Sequence, residues 1–546
     1  MSLDRWSKAA PLCVAFAVIT ASFASVASAA PVSPGAVQQT VQPERAIPID
    51  RSVQVPELRG NAVRPANVPA GGTPIAVARF DFTGNTMVAS ADLQQQVAKY
   101  VGRSLTLAEL YKVTQDLTRF YQAKGYPLSS VNLPVQRIDE GKVWLEVLEG
   151  KVGKVRVEGY RYYKGETLQE QLNQLASGAV VTRDTLVREL LLLNDMPGIE
   201  ARMVVVPGAD PQTSDLVVRI TEDGFSHAVS GDNFGRDQIG EARINYSLAV
   251  HGMGRGDELT LALTHSAADL LDYGRLGYSL PVGDQGARLG ASAFGSFYTV
   301  EDPNFPLLDV EGSSRGLRLE YNLPLERTRR SNRVLSVALS TTTTETRTLS
   351  LVTSHVNTNL LDLTLFGNGF FDSGSSYDFQ FGYSGNGEYN SGAEDGKQLG
   401  KLSASYAYNQ PIAGSVWTSR TRLRASYSIG GTADLEKMSL GGPYSVRGYD
   451  QSELRGDKGM ELTQEFLRQM PLLGKAGAIV FFADAGVVSN HLGGQSPIIS
   501  SVGGAVRVYD LYGFECNLQW ALAVGGMDPA DGERKGRGYV SFGTRF

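Results

Sequence analysis

A chain of 546 residues is too long for one ordinary soluble domain, and 42% hydrophobic residues are too few for a bundle of membrane-spanning helices. A formal net charge of −6, with no basic block, argues against a nucleic-acid partner. The 61 glycines and the 23 tyrosines against 21 phenylalanines fit a chain of many turns and many interfacial aromatics, as an outer-membrane barrel requires.

The first apolar stretch, residues 9–30, follows Arg5 and Lys8 and ends in Ala27-Ser28-Ala29-Ala30. This is the pattern of a secretory signal peptide, residues 1–29, cut after Ala29. Cys516 is then the one cysteine that survives, so no internal disulfide is expected. Residues 30–72 read as a linker: Pro31, Pro34, Pro43, Pro48, Pro56, Pro65 and Pro69 oppose a long helix and favour an extended, semi-stiff tether.

Between 73 and 223 an α/β pattern occurs twice. In the first copy, 73–150, a strand at 75–82 is turned by Gly84-Asn85. Helices follow at 90–101 and 106–124, then strands at 128–138 and 142–149. In the longer helix Leu107, Leu110, Val113, Leu117, Phe120 and Tyr121 fall at helical spacing, and Gly125 is a natural C-cap. The second copy, 151–223, repeats the order: a strand at 152–158, helices at 165–176 and 182–194 (the latter capped by Thr182), and strands at 200–206 and 215–221.

From 224 to 546 the helical period gives way to segments that alternate apolar and polar residues between Gly, Asp and Asn. Ile244, Tyr246, Leu248 and Val250 alternate with Arg243, Asn245, Ser247 and Ala249. Phe514, Cys516, Leu518, Trp520 and Leu522 alternate with Glu515, Asn517, Gln519 and Ala521. One face is apolar throughout and the other carries Arg, Glu, Asn and Gln, which suits lipid outside and a wet lumen inside. The count is sixteen strands, an even number that brings both ends of the barrel to the side of the N-terminal modules. The fold expected is thus a 16-strand antiparallel transmembrane β-barrel preceded by two periplasmic α+β modules.

Three groups of residues stand out. Arg420, Arg422 and Arg424 alternate along one strand, and each would cost roughly 2–4 kcal/mol against lipid at the bilayer midplane, so they face the lumen. There they either anchor a loop, bias the pore toward anions, or are simply solvated. The long loop 431–456 contains Val446-Arg447-Gly448-Tyr449, and a later strand carries Phe482, Asp484 and Gly486. A lumenal Asp484 is a natural partner for Arg447 on a folded-in loop, and Phe482, on the same inward face, needs something to pack on. The five histidines show no metal spacing, and neither a nucleophile elbow nor a phosphate loop is present. No catalytic, metal or cofactor site is expected.

With these features in hand, the chain resembles the outer-membrane transporters of two-partner (type Vb) secretion, the haemolysin and filamentous-haemagglutinin secretion type. The modules then correspond to POTRA domains, Val446 to Tyr449 to the family's V-R-G-[YF] loop tip between strands eleven and twelve, and Phe482, Asp484 and Gly486 to its F-x-D-x-G motif on strand thirteen. Phe546 resembles the terminal signal read by the barrel-assembly machinery. The resemblance implies nucleotide-free export of a large β-rich partner protein across the outer membrane of a Gram-negative bacterium, with activation of a haemolysin-like partner as a further possibility. The rival readings are an outer-membrane assembly or insertion factor of the same superfamily, and a passive porin or barrel enzyme. Members of this family often plug the pore with an N-terminal helix; here Pro43 interrupts residues 36–47 and Pro48 follows, so the sequence argues against a plug.

Overall fold

The computed structural model describes residues 32–41, 57–58, 73–175, 177–210, 213–253, 255–301, 309–386, 390–391, 400–429, 432–490, 498–526 and 536–546. The expected signal peptide and most of the 30–72 linker lie outside these residues. Two pieces of that linker are described: helix α1 (Pro34–Val41) and strand β1 (Glu57–Leu58).

The first module runs through β2 (Ile75–Ala76), β3 (Arg79–Thr83), α2 (Ser90–Val97), β4 (Ser104–Leu105), α3 (Leu107–Ala123), β5 (Ser130–Asn132) and β6 (Lys142–Leu148). A capping box starts α3: the Thr106 hydroxyl accepts from the Glu109 amide while the Glu109 carboxylate accepts from the Thr106 amide. Gly125, at φ +98°, lets the chain leave the helix. The apolar stripe of α3 buries Leu110, Val113, Leu117 and Tyr121 against Phe80 and Leu145 of the sheet β3-β6-β5. The strand expected over 128–138 contracts to β5, because Pro134 withholds a ladder donor.

The second module repeats the order with β7 (Lys151–Glu158), α4 (Gly165–Gln171), α5 (Arg183–Asn194), β8 (Ile199–Pro207) and β9 (Thr213–Glu222). Its sheet order is β1-β8-β9-β7, so the linker strand β1 adds to the edge beside β8. Leu168, Leu190, Leu193, Met203, Leu216 and Val218 fill its core.

The barrel strands are β10 (Phe225–Asp232), β11 (Arg243–His251), β12 (Glu258–Ser266), β13 (Leu271–Val282), β14 (Ala287–Val300), β15 (Val310–Arg327), β16 (Ser331–Thr348), β17 (Leu351–Phe370) and β18 (Ser376–Gly385). A two-residue strand β19 (Asn390–Ser391) rides on the top of β17, and β20 (Gly400–Pro411) and β21 (Trp417–Ile429) follow. Inside the next loop β22 (Met438–Leu440) pairs with β23 (Leu454–Gly456). The barrel resumes with β24 (Lys458–Leu472), β25 (Lys475–Ser489), β26 (Ile498–Leu511), β27 (Phe514–Gly526) and β28 (Arg537–Arg545). Without the lesser strands β19, β22 and β23, this is a closed antiparallel barrel of sixteen strands, sealed where β28 pairs with β10. β16 and β17 run longer than the pattern suggested and meet at a tight turn on Leu349 and Ser350, both in the left-handed region.

The alternation sorts as lipid and water demand. Leu276, Leu317, Leu339, Phe481, Trp520 and Phe542 are exposed on the outer wall. Inside, Arg318 meets Asp362 at 2.5 Å and Arg243 meets Asp232 at 2.8 Å. The second module sits on the hairpin turns nearest it. Arg327 grips Asp195 with two 2.6 Å hydrogen bonds, and the Gln171 side chain donates to the Gly283 carbonyl at 2.9 Å.

The expectation that no helix plugs the pore is corrected. α1 lies inside the barrel, with Val37 buried against Ile239, Leu271, Tyr273 and Tyr298. Two turns suffice because Pro34 occupies the first helical position, where its missing N–H costs nothing, and the Ser33 hydroxyl caps the Ala36 amide. Pro43 falls beyond the helix, so it does not interrupt it. Burial in the lumen supplies the stability that so short a helix lacks alone.

Candidate functional site

The loop between β21 and β24 leaves the end of the barrel opposite the modules and folds back into the lumen. Leu440, Val446, Tyr449 and Leu454 of the loop are buried against Val488, Ile499 and Ala523 of the wall. At its tip the Tyr449 amide donates to the Val446 carbonyl at 3.2 Å, closing a turn with Arg447 and Gly448 at its centre. The Tyr449 carbonyl accepts from the Gly442 amide at 3.0 Å and from the Tyr539 hydroxyl at 3.0 Å. The Tyr449 hydroxyl donates to the Gly525 carbonyl at 2.7 Å.

This turn drives Arg447 into the wall. Its Nε and Nη2 donate to the two oxygens of Asp484 at 2.9 and 2.7 Å, and its backbone amide reaches the same carboxylate at 3.3 Å. Ser501 adds a hydroxyl at 3.0 Å. The remaining guanidinium edge donates through Nη1 to Glu465 at 2.8 Å, and the carbon of the guanidinium lies 3.3 Å from the centre of the Phe482 ring. Arg447, Asp484 and Glu465 are each under 5% exposed. An arginine held on both edges and one face has one orientation, so the loop tip is placed and not merely attracted.

The glycines explain why the tip can come so close. A Cβ on Gly448 would sit 2.6 Å from the Ala523 backbone nitrogen, and one on Gly486 would meet the Leu440 side chain at 2.8 Å. Phe482 in turn lies on Gly503, where a Cβ would meet its ring at 2.5 Å.

The three arginines of β21 divide their roles. Arg424 donates from Nε to Glu461 at 3.0 Å and from Nη2 to the Ser439 carbonyl of the loop at 3.4 Å, and Arg422 reaches the Tyr444 carbonyl at 3.4 Å. Arg420 stands opposite Glu465 in the strand register. Phe546 stacks on His227 with ring centres 5.0 Å apart, and the two exchange backbone hydrogen bonds across the closing seam.

Two parts of the site went unread in the sequence. Glu465 is the second carboxylate on Arg447, and an acid on the inward face of a polar strand gave no signal of its partner. The other is the contact between α1 and the loop. The Ser33 hydroxyl donates to Asp434 at 2.6 Å, and Arg455 bonds both Ser33 and Asp434, the latter at 2.6 Å. The Ser-Pro start of a helix at 33–34 was the available clue.

The comparisons with known proteins bear on this arrangement. Residues 212–508, more than half of the chain, match the family model "Haemolysin secretion/activation protein ShlB/FhaC/HecB", and residues 75–150 match "POTRA domain, ShlB-type". The heme/hemopexin transporter protein HuxB of Haemophilus influenzae (strain 86-028NP) is 28% identical over 43% of this chain, a match that spans 42% of that relative's length. The outer membrane transporter CdiB of Dickeya dadantii (strain 3937) is 25% identical over 86% of each chain. In fold, the structure of CdiB from Escherichia coli superposes with a TM-score of 0.70 at 20% identity, covering 88% of this chain and 92% of that one. The chain belongs to the haemolysin secretion/activation family of ShlB, FhaC and HecB, outer-membrane β-barrels with periplasmic POTRA domains.

Proposed function

We propose that this chain exports one large, β-rich partner protein from the periplasm to the cell surface. The two modules bind the partner's N-terminal secretion domain, and the partner threads the lumen without nucleotide. Folding outside supplies the pull, as a long β-structure releases free energy repeat by repeat. The observation that carries this reading is a lumen occupied by two elements of the same chain, α1 and the loop tip at Arg447. A passive porin needs neither closure nor periplasmic modules. Val446, Arg447, Gly448, Tyr449, Phe482, Asp484 and Gly486 act as the lock, while Arg422 and Arg424 hold the loop stem. Phe546 serves as the assembly signal. The chain is a transporter without catalytic activity of its own, although passage through it can leave a haemolysin-like partner active.

The test is deletion of the gene in its native host. A large protein should vanish from the cell surface and medium, accumulate in the periplasm, and return on complementation. Purified full-length chain should bind the N-terminal segment of that protein. An unchanged surface and medium would sink the export reading, and a general loss of outer-membrane proteins would favour an assembly factor.

A further inference from the structure

Two of the three inward arginines of β21 have a task in the closed pore: Arg422 and Arg424 bond the loop. The third, Arg420, bonds no part of it among the described residues. Arg420 stands opposite Glu465 in the strand register. Paired Cα atoms of an antiparallel ladder lie about 4.5–5.5 Å apart, well inside the combined reach of an arginine and a glutamate. Yet Glu465 bonds Arg447 instead, through Oε1. Among the described residues, the buried Oε2 of Glu465 and the buried Nε of Arg420 have no hydrogen-bond partner. The reason lies in the surrounding charge. Arg447, Arg507 and Arg422 all act on Glu465. Arg422 and Arg507 also repel Arg420, which Glu465 and Asp378 attract. A further guanidinium against one carboxylate adds repulsion faster than it adds bonding, so Arg420 is held off while Arg447 is seated.

We infer that Arg420 is the stand-in for Arg447: when the loop tip leaves the wall, Arg420 takes Glu465 and holds it until the tip returns. The exchange lowers the cost of opening. Without it, withdrawal of Arg447 would strip two buried carboxylates of their partner at once, and an uncompensated buried charge is among the costliest features a wall can carry. With it, Glu465 passes from one guanidinium to another across its own strand pair. Asp484 keeps the Ser501 hydroxyl at 3.0 Å. Arg422 stands opposite Thr463, whose other neighbour is Asp484, and the same movement releases Arg422 from the Tyr444 carbonyl. Arg420 thus works in the open pore and is idle in the closed one.

This inference rests on the reading of the loop tip as a closure that moves, and its test needs no export. Purified full-length chains are placed in planar bilayers in potassium chloride, and the durations of single openings are measured. Arg420→Gln should shorten the openings about tenfold, the factor that one charge-assisted hydrogen bond carries. Its closed intervals should be no shorter than those of the wild type. In a Glu465→Ala chain the same substitution should leave the openings unchanged, because the partner of the exchange is gone. Arg420→Lys keeps the charge but not the planar fork and should fall between wild type and Arg420→Gln. It carries the comparison if the glutamine variant does not insert. Equal shortening with and without Glu465 would make Arg420 an ordinary charge of the pore wall. Openings of wild-type length in Arg420→Gln would leave it no part in gating. Either result overturns the exchange. Failure of the export reading in the deletion test leaves these measurements as they stand, so the two can fall separately.

Discussion

The Asp484 carboxylate takes three hydrogen bonds from Arg447: two from the guanidinium and one from that residue's own backbone amide. The backbone bond matters as much as the ion pair, because it ties the carboxylate to the path of the loop and not only to a long side chain. Asp484→Lys places a second cation against Arg447 in a site under 5% exposed. Breaking one partner of a buried pair costs roughly 3–5 kcal/mol where the site is dry, less where lumen water enters. We expect Asp484→Lys to abolish export while the barrel still inserts and still shifts its gel mobility on heating. Glu465→Gln should be milder, since Arg447 keeps both bonds to Asp484. Normal export by the Asp484→Lys chain would remove the lock from the mechanism.

The two glycines at the contact should behave differently when replaced by alanine. At Gly448 the new methyl would press on the Ala523 backbone, which cannot yield. At Gly486 it would meet the methyl ends of the Leu440 side chain at 2.8 Å, which give way at less cost than backbone. Gly448→Ala should therefore expose the loop tip to protease added outside intact cells, whereas Gly486→Ala should leave it nearly as protected as the wild type. Equal protection in both variants would mean that the tip is not seated against Ala523.

Much of this site was legible because barrel alternation has a period of two: once Phe481 was assigned to lipid, Phe482 and Asp484 had to face inward. A loop arginine then had an obvious partner. The sixteen strands were readable for the same reason, apart from the ends of β16 and β17, whose threonine-rich tops continue past the membrane and alternate weakly. Glu465 was hidden because nothing local distinguishes a paired lumenal acid from a solvated one. The plug helix was missed because Pro34 and Pro43 were both read as breakers. Pro34 starts the helix after Ser33, and the partners that stabilise it, Tyr273 and Tyr298, lie more than two hundred residues away.

Glu189 on α5 gives the second POTRA domain a pH dependence. It is 1% exposed, its Oε1 accepts from Arg188 at 3.1 Å, and burial pushes its carboxyl up to about 7, a rise that Arg188 offsets only in part. Asp284 on the barrel turn acts in the same direction as burial. A carboxyl raised on folding takes up a proton when the chain folds. Its stability contribution is therefore fully present below the unfolded value near 4.5 and is lost as pH rises through about 7. At roughly 1.4 kcal/mol per unit, the loss across that window is on the order of 3 kcal/mol. Glu189→Gln should remove it. Hydrogen exchange of the α5 amides in the full-length chain, corrected for intrinsic rates, should show weaker protection at pH 8 than at pH 5 in the wild type but equal protection in the variant. Equal protection in both chains would refute the assignment.

Arg455 and Asp434 are the residues through which the loop reaches the start of the plug helix. The Arg455 guanidinium bonds the Asp434 side chain and backbone carbonyl and the Ser33 hydroxyl, and Ser33 in turn caps α1. Two loop side chains, Arg455 and Asp434, therefore join the two closures of the pore at Ser33, so movement of the loop stem loosens the start of the helix. Arg455→Ala reduces that link to the Ser33–Asp434 bond but keeps Val37 in its apolar socket, whereas deleting residues 32–41 removes the plug outright. In planar bilayers we expect the deletion to give the larger rise in single-channel conductance. Arg455→Ala should instead show wild-type closed levels interrupted by frequent openings of the deletion's size. Asp434→Asn should fall between wild type and Arg455→Ala, since the amide oxygen still accepts from Arg455 while its NH2 can no longer accept from Ser33. If Arg455→Ala gates like the wild type while the deletion opens the pore, Arg455 plays no part in holding α1.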